Sequence, residues 1–130
     1  MKNLLFLLTF ISTVVIFTNC NKDEKEDLTI EVVGDFKGAF GSNSVGEINP
    51  YEIVVSRVNK NTVSIRPKSG NEFSEIEIEI ERFNSSTISS PTDNNQQLDK
   101  SVIFAIGTPV TINMQIGPIG DAIVFIGEKQ

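Results

Sequence analysis

The stretch Glu75–Ile76–Glu77–Ile78–Glu79–Ile80–Glu81 alternates acidic and apolar side chains without a break. In a β-strand successive side chains point to opposite faces, so Ile76, Ile78 and Ile80 would share one face and the glutamates the other. This alternation is typical of an antiparallel sheet that has one face on the core and one in water. The stretch therefore predicts an all-β fold.

The rest of the chain after Leu28 repeats this period of two, and no long stretch keeps a helical period. In the first segment Gly38 lies between Phe36 and Phe40, and a glycine inside a strand favours a bend or a close backbone approach. Polar loops are expected over 42–50 and 84–100. The predicted strands cover residues 29–41, 51–58, 62–66, 75–81, 102–106, 110–116 and 122–126, with a short eighth strand at 87–88.

The connections between these strands are mostly short, which favours sequential antiparallel pairing in a small up-and-down meander of about seven to eight strands. The last strand, Ala122 to Ile126, is apolar on both faces. Because an edge strand of that composition would invite aggregation, we expect it to pair with the first strand and to close, or nearly close, a barrel. A β-sandwich is the alternative.

The chain begins with Lys2 followed by an apolar run from Leu4 to Phe17, which is the layout of an export signal. As a helix this run would reach roughly 21 Å, short of the ~30 Å hydrocarbon thickness of a bilayer. A cleaved signal is therefore favoured over a permanent membrane helix. We expect a signal peptide over 1–19, a charged tether over 20–28 and a single β domain over 29–130.

The apolar run ends at Cys20, and this arrangement resembles the signal of bacterial lipoproteins, in particular the Bacteroidetes type. The resemblance implies that Cys20 is lipidated and becomes the first residue after cleavage. Lys22, Asp23 and Glu24 follow at once and resemble the surface-export signal of the same class. The expected location is thus the outer membrane, through a lipid anchor, at the cell surface. A dense mixed-charge run is also typical of a solvated linker.

The amino-acid composition limits the classes of function that are expected. The chain of 130 residues has no His, no Trp, one Tyr and one Cys, so the usual general base and the soft metal ligands are missing or scarce. All 17 acidic residues follow Cys20, and the full chain has a net charge of −6, which opposes nucleic acid as a partner. We expect no enzyme activity, no catalytic residues, no metal site and no cofactor.

Three patterns of polar residues partly match known catalytic or metal-binding motifs, but none of them predicts a site. Neighbouring glutamates in 75–81 have about the carboxyl spacing of an inverting glycosidase, but a solvated sheet face explains them. The oxygen-rich run 93–99 lacks the Gly and Glu that an EF-hand loop places at its sixth and twelfth positions. The serines near residue 86 have no base to activate them.

Gly34–Asp35–Phe36, on the first predicted strand, resembles the Gly-x-Trp motif of the lipocalin-like (calycin) barrels, with Phe36 in the place of Trp. The resemblance implies a barrel interior that could hold a small apolar ligand. Its lining residues would be Phe36, Phe40, Ile53, Phe104 and Phe125. In a barrel of this size the same side chains could equally fill the core.

Two hypotheses for function follow. In the first, the anchored β domain is a non-enzymatic module that presents the acidic face of 75–81 and the loop 84–100 to another protein of the cell envelope. In the second, it is a lipocalin-like carrier for a small apolar ligand. The two hypotheses differ in what occupies the interior, because a carrier needs an enclosed apolar cavity and an interaction module does not.

Overall fold

The computed structural model describes residues 25–91, 99–118 and 120–130. These residues form a nine-stranded antiparallel meander preceded by one helical turn. In chain order the elements are α1 (Thr29–Val32), β1 (Gly34–Ser42), β2 (Gly46–Asn59), β3 (Thr62–Pro67), β4 (Ile76–Glu79), β5 (Glu81–Asn84), β6 (Thr87–Ser89), β7 (Lys100–Ala105), β8 (Thr111–Ile116) and β9 (Ile123–Lys129).

The first and last strands pair with each other. The sheet runs in the order β4, β3, β2, β1, β9, β8, β7, β6, β5, so consecutive strands are neighbours and β1 joins β9. Their antiparallel register extends from Phe36 opposite Lys129 to Gly41 opposite Val124. The predicted closure between these strands is confirmed, and the architecture is a nearly closed barrel and not a sandwich.

The strand predicted from the glutamate–isoleucine alternation is divided in two at Ile80, which is why there are nine strands where seven to eight were expected. β4 pairs with β3, whereas β5 pairs with β6 on the other side. Ile80 itself is buried, and its N–H donates to the carbonyl of Asn61 at 2.8 Å. Glu81 pairs with Ser89. If this antiparallel pairing continued for two more residues, Glu79 would lie opposite Pro91. Because proline has no N–H to donate, the β6 edge ends there and the barrel stays incomplete beside β4.

Several predicted boundaries were wrong, two of them by five residues, and the last strand runs to Lys129 where it was expected to end at Ile126. β2 begins at Gly46, so part of the expected loop 42–50 is strand. Residues 29–32 form the helical turn α1 and not the start of the first strand. The carboxylate of Asp27 accepts hydrogen bonds from the N–H of Thr29, at 3.1 Å, and from its hydroxyl, at 2.5 Å, which stabilises a turn in place of a strand ladder. Leu28 and Val32, four residues apart, then both face the core.

The alternation that defined the strands is otherwise confirmed, because the inward sets lie in the core. Ile76, Ile78 and Ile80, which the alternation assigns to one face, are all buried. Other strands likewise bury every second residue, as in the pairs Ile53 and Val55, Val63 and Ile65, and Ile112 and Met114.

The barrel has two distinct ends. At the entry end lie α1, the turns β2–β3, β5–β6 and β7–β8, and the C-terminus. At the far end lie the connections β1–β2, β3–β4 and β8–β9, and β6 ends and β7 begins there. The segment that precedes α1 therefore meets the barrel at the entry end.

Candidate functional site

The barrel interior contains the five residues that the sequence names as a possible ligand lining. Phe36 and Phe40 come from β1, Ile53 from β2, Phe104 from β7 and Phe125 from β9, and none has any exposed surface. The period of two along each strand directs these side chains inward. The structure thus brings all five together in one core cluster.

Aromatic rings from different strands meet inside the barrel. The ring centroids of Phe36 and Phe104 are 6.0 Å apart, although their strands are separated in the sheet by β9 and β8. Tyr51 stacks on Phe40 with a centroid distance of 4.5 Å, and it lies 6.2 Å from Phe125. These separations are those of packed aromatic pairs, so the side chains fill the space between the walls.

The far end of the interior is covered by the β3–β4 connection. Phe73 stacks over Phe40 with a centroid distance of 6.2 Å, and the hydroxyl of Tyr51 donates to Oε2 of Glu72 at 2.8 Å. Burial, followed by this hydrogen bond to an acceptor, raises the pKa of Tyr51 above its ordinary value of 10.0. The tyrosine therefore stays protonated and holds the connection against the aromatic cluster.

The entry end is closed by α1. Leu28, Thr29 and Val32 are buried, and the N–H of Leu28 donates to the carbonyl of Lys60 at 3.0 Å. From the other side Nζ of Lys129 donates to the carbonyl of Glu31 at 3.2 Å. The turn is thus attached to the β2–β3 turn and to the end of β9.

Ion pairs fasten the segment that leads into α1. Arg82 donates to both carboxylate oxygens of Glu26, at 2.8 and 3.0 Å, and also to Glu31. Arg57 pairs with Asp27 at 3.2 Å. Hydrogen bonding by the Thr29 hydroxyl, supported by Arg57, holds the pKa of Asp27 below its ordinary value of 3.8.

Among the residues that the structure describes, contacts with the barrel therefore start as early as Glu26, within the stretch that the sequence predicts to be tether. Sequence reasoning missed this attachment. The run from Lys25 to Asp27 has the composition of a linker, and only the fold brings Arg57 and Arg82 beside it.

An apolar groove of about 520 Å³, also missed, lies on the outer wall where β1 and β9 meet. Ala39 and Gly41 on β1 stand opposite Ile126 and Val124 on β9. Ile126 is 57% exposed and Val124 36%. The sequence carried the signal for this surface, since the last strand is apolar on both faces. Pairing along both edges of β9 removes the open edge but leaves its outward side chains in water.

The acidic face is present where the sequence predicts it. Glu77 and Glu79 are exposed while the isoleucines between them are buried. Asn61 donates to Glu79 at 2.9 Å, and the hydroxyl of Ser64 donates to Glu75. Of the loop expected over 84–100, residues 92–98 lie outside the described residues, and the part before them contains β6.

Cys20, Lys22, Asp23 and Glu24 also lie outside the described residues. Within 25–91, 99–118 and 120–130, no group of three or more His, Cys, Asp or Glu side chains could hold a metal ion. No helix in the same part of the chain is long and apolar enough to cross a membrane.

Comparison with known proteins assigns neither a family nor a function to the chain. No family model, no curated protein and no solved structure matches the chain.

Proposed function

We propose that this chain is a lipoprotein anchored to the outer membrane through Cys20, displayed at the cell surface, and that its barrel is a non-enzymatic module that binds another envelope protein. The packed interior is the observation that favours an interaction module over a ligand carrier. Because Phe36 and Phe104 meet across the barrel, an interaction partner would be recognised on the outside.

The outer groove between β1 and β9 is the surface that best fits a protein partner. Its floor combines small residues on β1 with the exposed Val124 and Ile126 on β9. At its rim, Asn43 donates from its side-chain amide to the carbonyl of Gly120 at 2.5 Å, which joins two connections of the far end. An apolar centre with a polar rim is the usual anatomy of a protein interface.

The anchoring half of the proposal is tested in the native host. Cells are fed an alkyne-tagged fatty acid, and we expect the wild-type protein to become labelled while Cys20→Ser does not. Protease added to intact cells should digest the wild-type domain, and Lys22→Ala with Asp23→Ala and Glu24→Ala should reduce that digestion. Absence of label on the wild-type protein would refute lipidation, and full protection from protease would refute surface display.

The interaction half is tested by placing a photo-crosslinking residue at Ile126 in intact cells and identifying the adduct by mass spectrometry. The control position is Glu77, on the acidic face of the same barrel. We expect a defined protein adduct from position 126. An adduct from position 77 alone would move the interface to the acidic face, and no adduct from either position would contradict the proposed function.

The alternative is a lipocalin-like carrier, for which the resemblance of Gly34–Asp35–Phe36 is the support. In the structure this tripeptide opens β1 directly after α1, and Phe36 lies at the centre of the core. A ligand would have to displace aromatic side chains that are in contact. Native mass spectrometry of protein purified without detergent checks this, and a co-purifying apolar molecule would favour the carrier.

A further inference from the structure

Large apolar side chains are exposed at the entry end of the barrel. Ile30 on α1 is 75% exposed, Phe83 on β5 is 74% exposed, and Val58 near the end of β2 is 42% exposed. Single exposed apolar residues are ordinary, but several around one point mark a contact surface. These side chains are not needed to pack the core at the entry end, because Leu28 and Val32 already fill it.

The ion pairs of the entry segment show that the three residues are next in sequence to the residues that attach this segment to the barrel. Phe83 follows Arg82, which binds Glu26 and Glu31, and Glu31 in turn follows Ile30. Val58 follows Arg57, which binds Asp27. Each exposed apolar residue is therefore the chain neighbour of a residue that fastens the entry segment.

Three acidic groups of the entry segment are paired with cations. Glu26 and Glu31 share Arg82, and Asp27 pairs with Arg57. Pairing lowers the cost of bringing a carboxylate towards a low-dielectric surface. Lys25 and Lys60 are also exposed at this end, and lysines near a membrane are attracted by anionic lipid headgroups. Exposed Glu79 and Glu128 also lie towards this end, where Glu79 accepts a hydrogen bond from Asn61 and Glu128 stands opposite Thr111, whereas Glu47 lies at the far end.

The length of chain before the barrel limits how far this end can lie from the anchor. Four residues lie between Cys20 and Lys25, so the five steps of fully extended chain that join their Cα atoms span at most about 18 Å. The separation is smaller still for any conformation that is not fully extended. A lipid on Cys20 would hold the entry end, and not the far end, within that distance of the leaflet.

We propose that the entry end is a membrane-docking surface, on which Ile30, Val58 and Phe83 insert into the interfacial region of the leaflet that carries the anchor. This inference rests on the proposed lipid anchor. Exposed apolar side chains bind an interface in proportion to the area that they bury, and the anchor keeps them at high local concentration. Docking would direct the outer groove and the far end away from the bilayer.

The chain has no tryptophan, so a single introduced tryptophan reports its own surroundings. We choose Phe83→Trp and Ile30→Trp at the entry end and Val45→Trp, 47% exposed at the far end, as the matched control. The purified protein is incorporated into vesicles of phosphatidylethanolamine and phosphatidylglycerol. Emission wavelength, quenching by brominated lipid and quenching by aqueous acrylamide are then measured.

We expect the tryptophans at 83 and 30 to show blue-shifted emission, quenching by brominated lipid and reduced quenching by acrylamide, while Trp at 45 stays solvent-like. Solvent-like emission at all three positions in anchored protein would overturn the docking surface, as would equal shifts at all three.

The test separates docking from anchoring. If the protein made by the cell carries no lipid, the proposed anchor fails by mass spectrometry alone. Its one thiol, Cys20, is then coupled to a maleimide phospholipid, and the same three tryptophans are measured. A blue shift at 83 and 30 would still support the surface, and its absence would refute it.

Discussion

At the scale of single residues, the closure of the barrel depends on two glycines that face each other. Gly38 on β1 stands opposite Gly127 on β9. A Cβ at Gly38 would lie 2.0 Å from the carbonyl oxygen of Ile126 and 2.4 Å from the Cα of Gly127. These are backbone atoms, which cannot turn away as a flexible side chain could. The two strands can therefore approach this closely only without a side chain at position 38.

Gly38→Ala tests this close approach, with Gly41→Ala on the same strand as its control. A Cβ at Gly41 meets nothing nearer than 3.7 Å. We expect Gly38→Ala to lower the free energy of unfolding by about 1–3 kcal/mol, as overpacked sites do. Gly41→Ala should leave it unchanged or raise it by up to about 1 kcal/mol through loss of unfolded-state entropy. Urea denaturation measures both, and equal effects would contradict the role of the glycine pair.

Tyr51 predicts a fall in stability at alkaline pH. Its raised pKa means that above pH 10.0 the unfolded chain loses the phenolic proton while the folded chain keeps it. The unfolded state then binds fewer protons, so the free energy of unfolding decreases as pH rises.

Tyr51→Phe removes this contribution. We expect the stability curves of the two proteins to run parallel below pH 10.0 and the wild-type curve to fall more steeply above it. Denaturant unfolding at a series of pH values measures the difference, in which the titration of lysines common to both proteins cancels. Parallel curves throughout would mean that the tyrosine ionises freely in the folded state.

At the scale of elements, α1 turns a predicted strand start into the cover of the entry end. The helical turn buries Leu28 and Val32 and exposes Ile30 between them. In a strand, residues 28, 30 and 32 would all lie on one face. In a helical turn residue 30 points away from the other two, so the exposure of Ile30 distinguishes the turn from a strand. The element thus joins the segment before it to the core.

Leu28→Ala measures the contribution of this element, and Ile30→Ala is the matched control in the same segment. Leu28 is slightly exposed, so we expect a loss at the low end of the range for such substitutions, about 2 kcal/mol. Ile30→Ala should change stability by less than about 0.5 kcal/mol, because its side chain is in water. Thermal and urea unfolding measure both variants, and equal small effects would place α1 outside the cooperative unit.

At the scale of the whole molecule, one sheet curls until its first and last strands pair, and side chains from opposite walls meet inside. Phe104 is central to this packing through its contact with Phe36. The interior and the surface then have separate roles, since the interior supplies stability and the outer wall and the entry end remain available for partners.

Phe104→Ala tests whether the interior is filled. We expect it to lower the free energy of unfolding by about 3–5 kcal/mol. It should also create an apolar cavity able to take up benzene-sized molecules, as engineered cavities do. Phe104→Leu, with a smaller loss, keeps the test informative if the alanine variant unfolds. Ligand-induced shifts in thermal midpoint measure uptake, and a shift already present in the wild-type protein would favour the carrier.

The fold followed closely from the sequence because alternation along the strands is a local property. The isoleucines of 75–81 could be assigned to the core without knowing their partners, and the doubly apolar last strand indicated its pairing with the first. The boundaries were less predictable. The start of β2 depends on pairing with β1, and the division at Ile80 depends on two different neighbouring strands.

The candidate functional surfaces were harder to predict from the sequence. The five residues predicted to line the interior lie in one core cluster, but whether such residues enclose a ligand or touch one another depends on distances across the barrel. The attachment of Glu26 to Arg82 joins positions 56 residues apart, and nothing in the composition of the entry segment predicts it.

By itself, the sequence determined the all-β class, the inward face of each strand and the acidic outer face, because the period of two carries that information residue by residue. The tertiary structure alone decided that the entry segment folds onto the barrel as a helical turn, that the aromatic side chains meet, and that Ile30, Val58 and Phe83 are exposed at the same end of the barrel. These features arise from contacts between residues distant in the chain, and such contacts exist only once the sheet has closed.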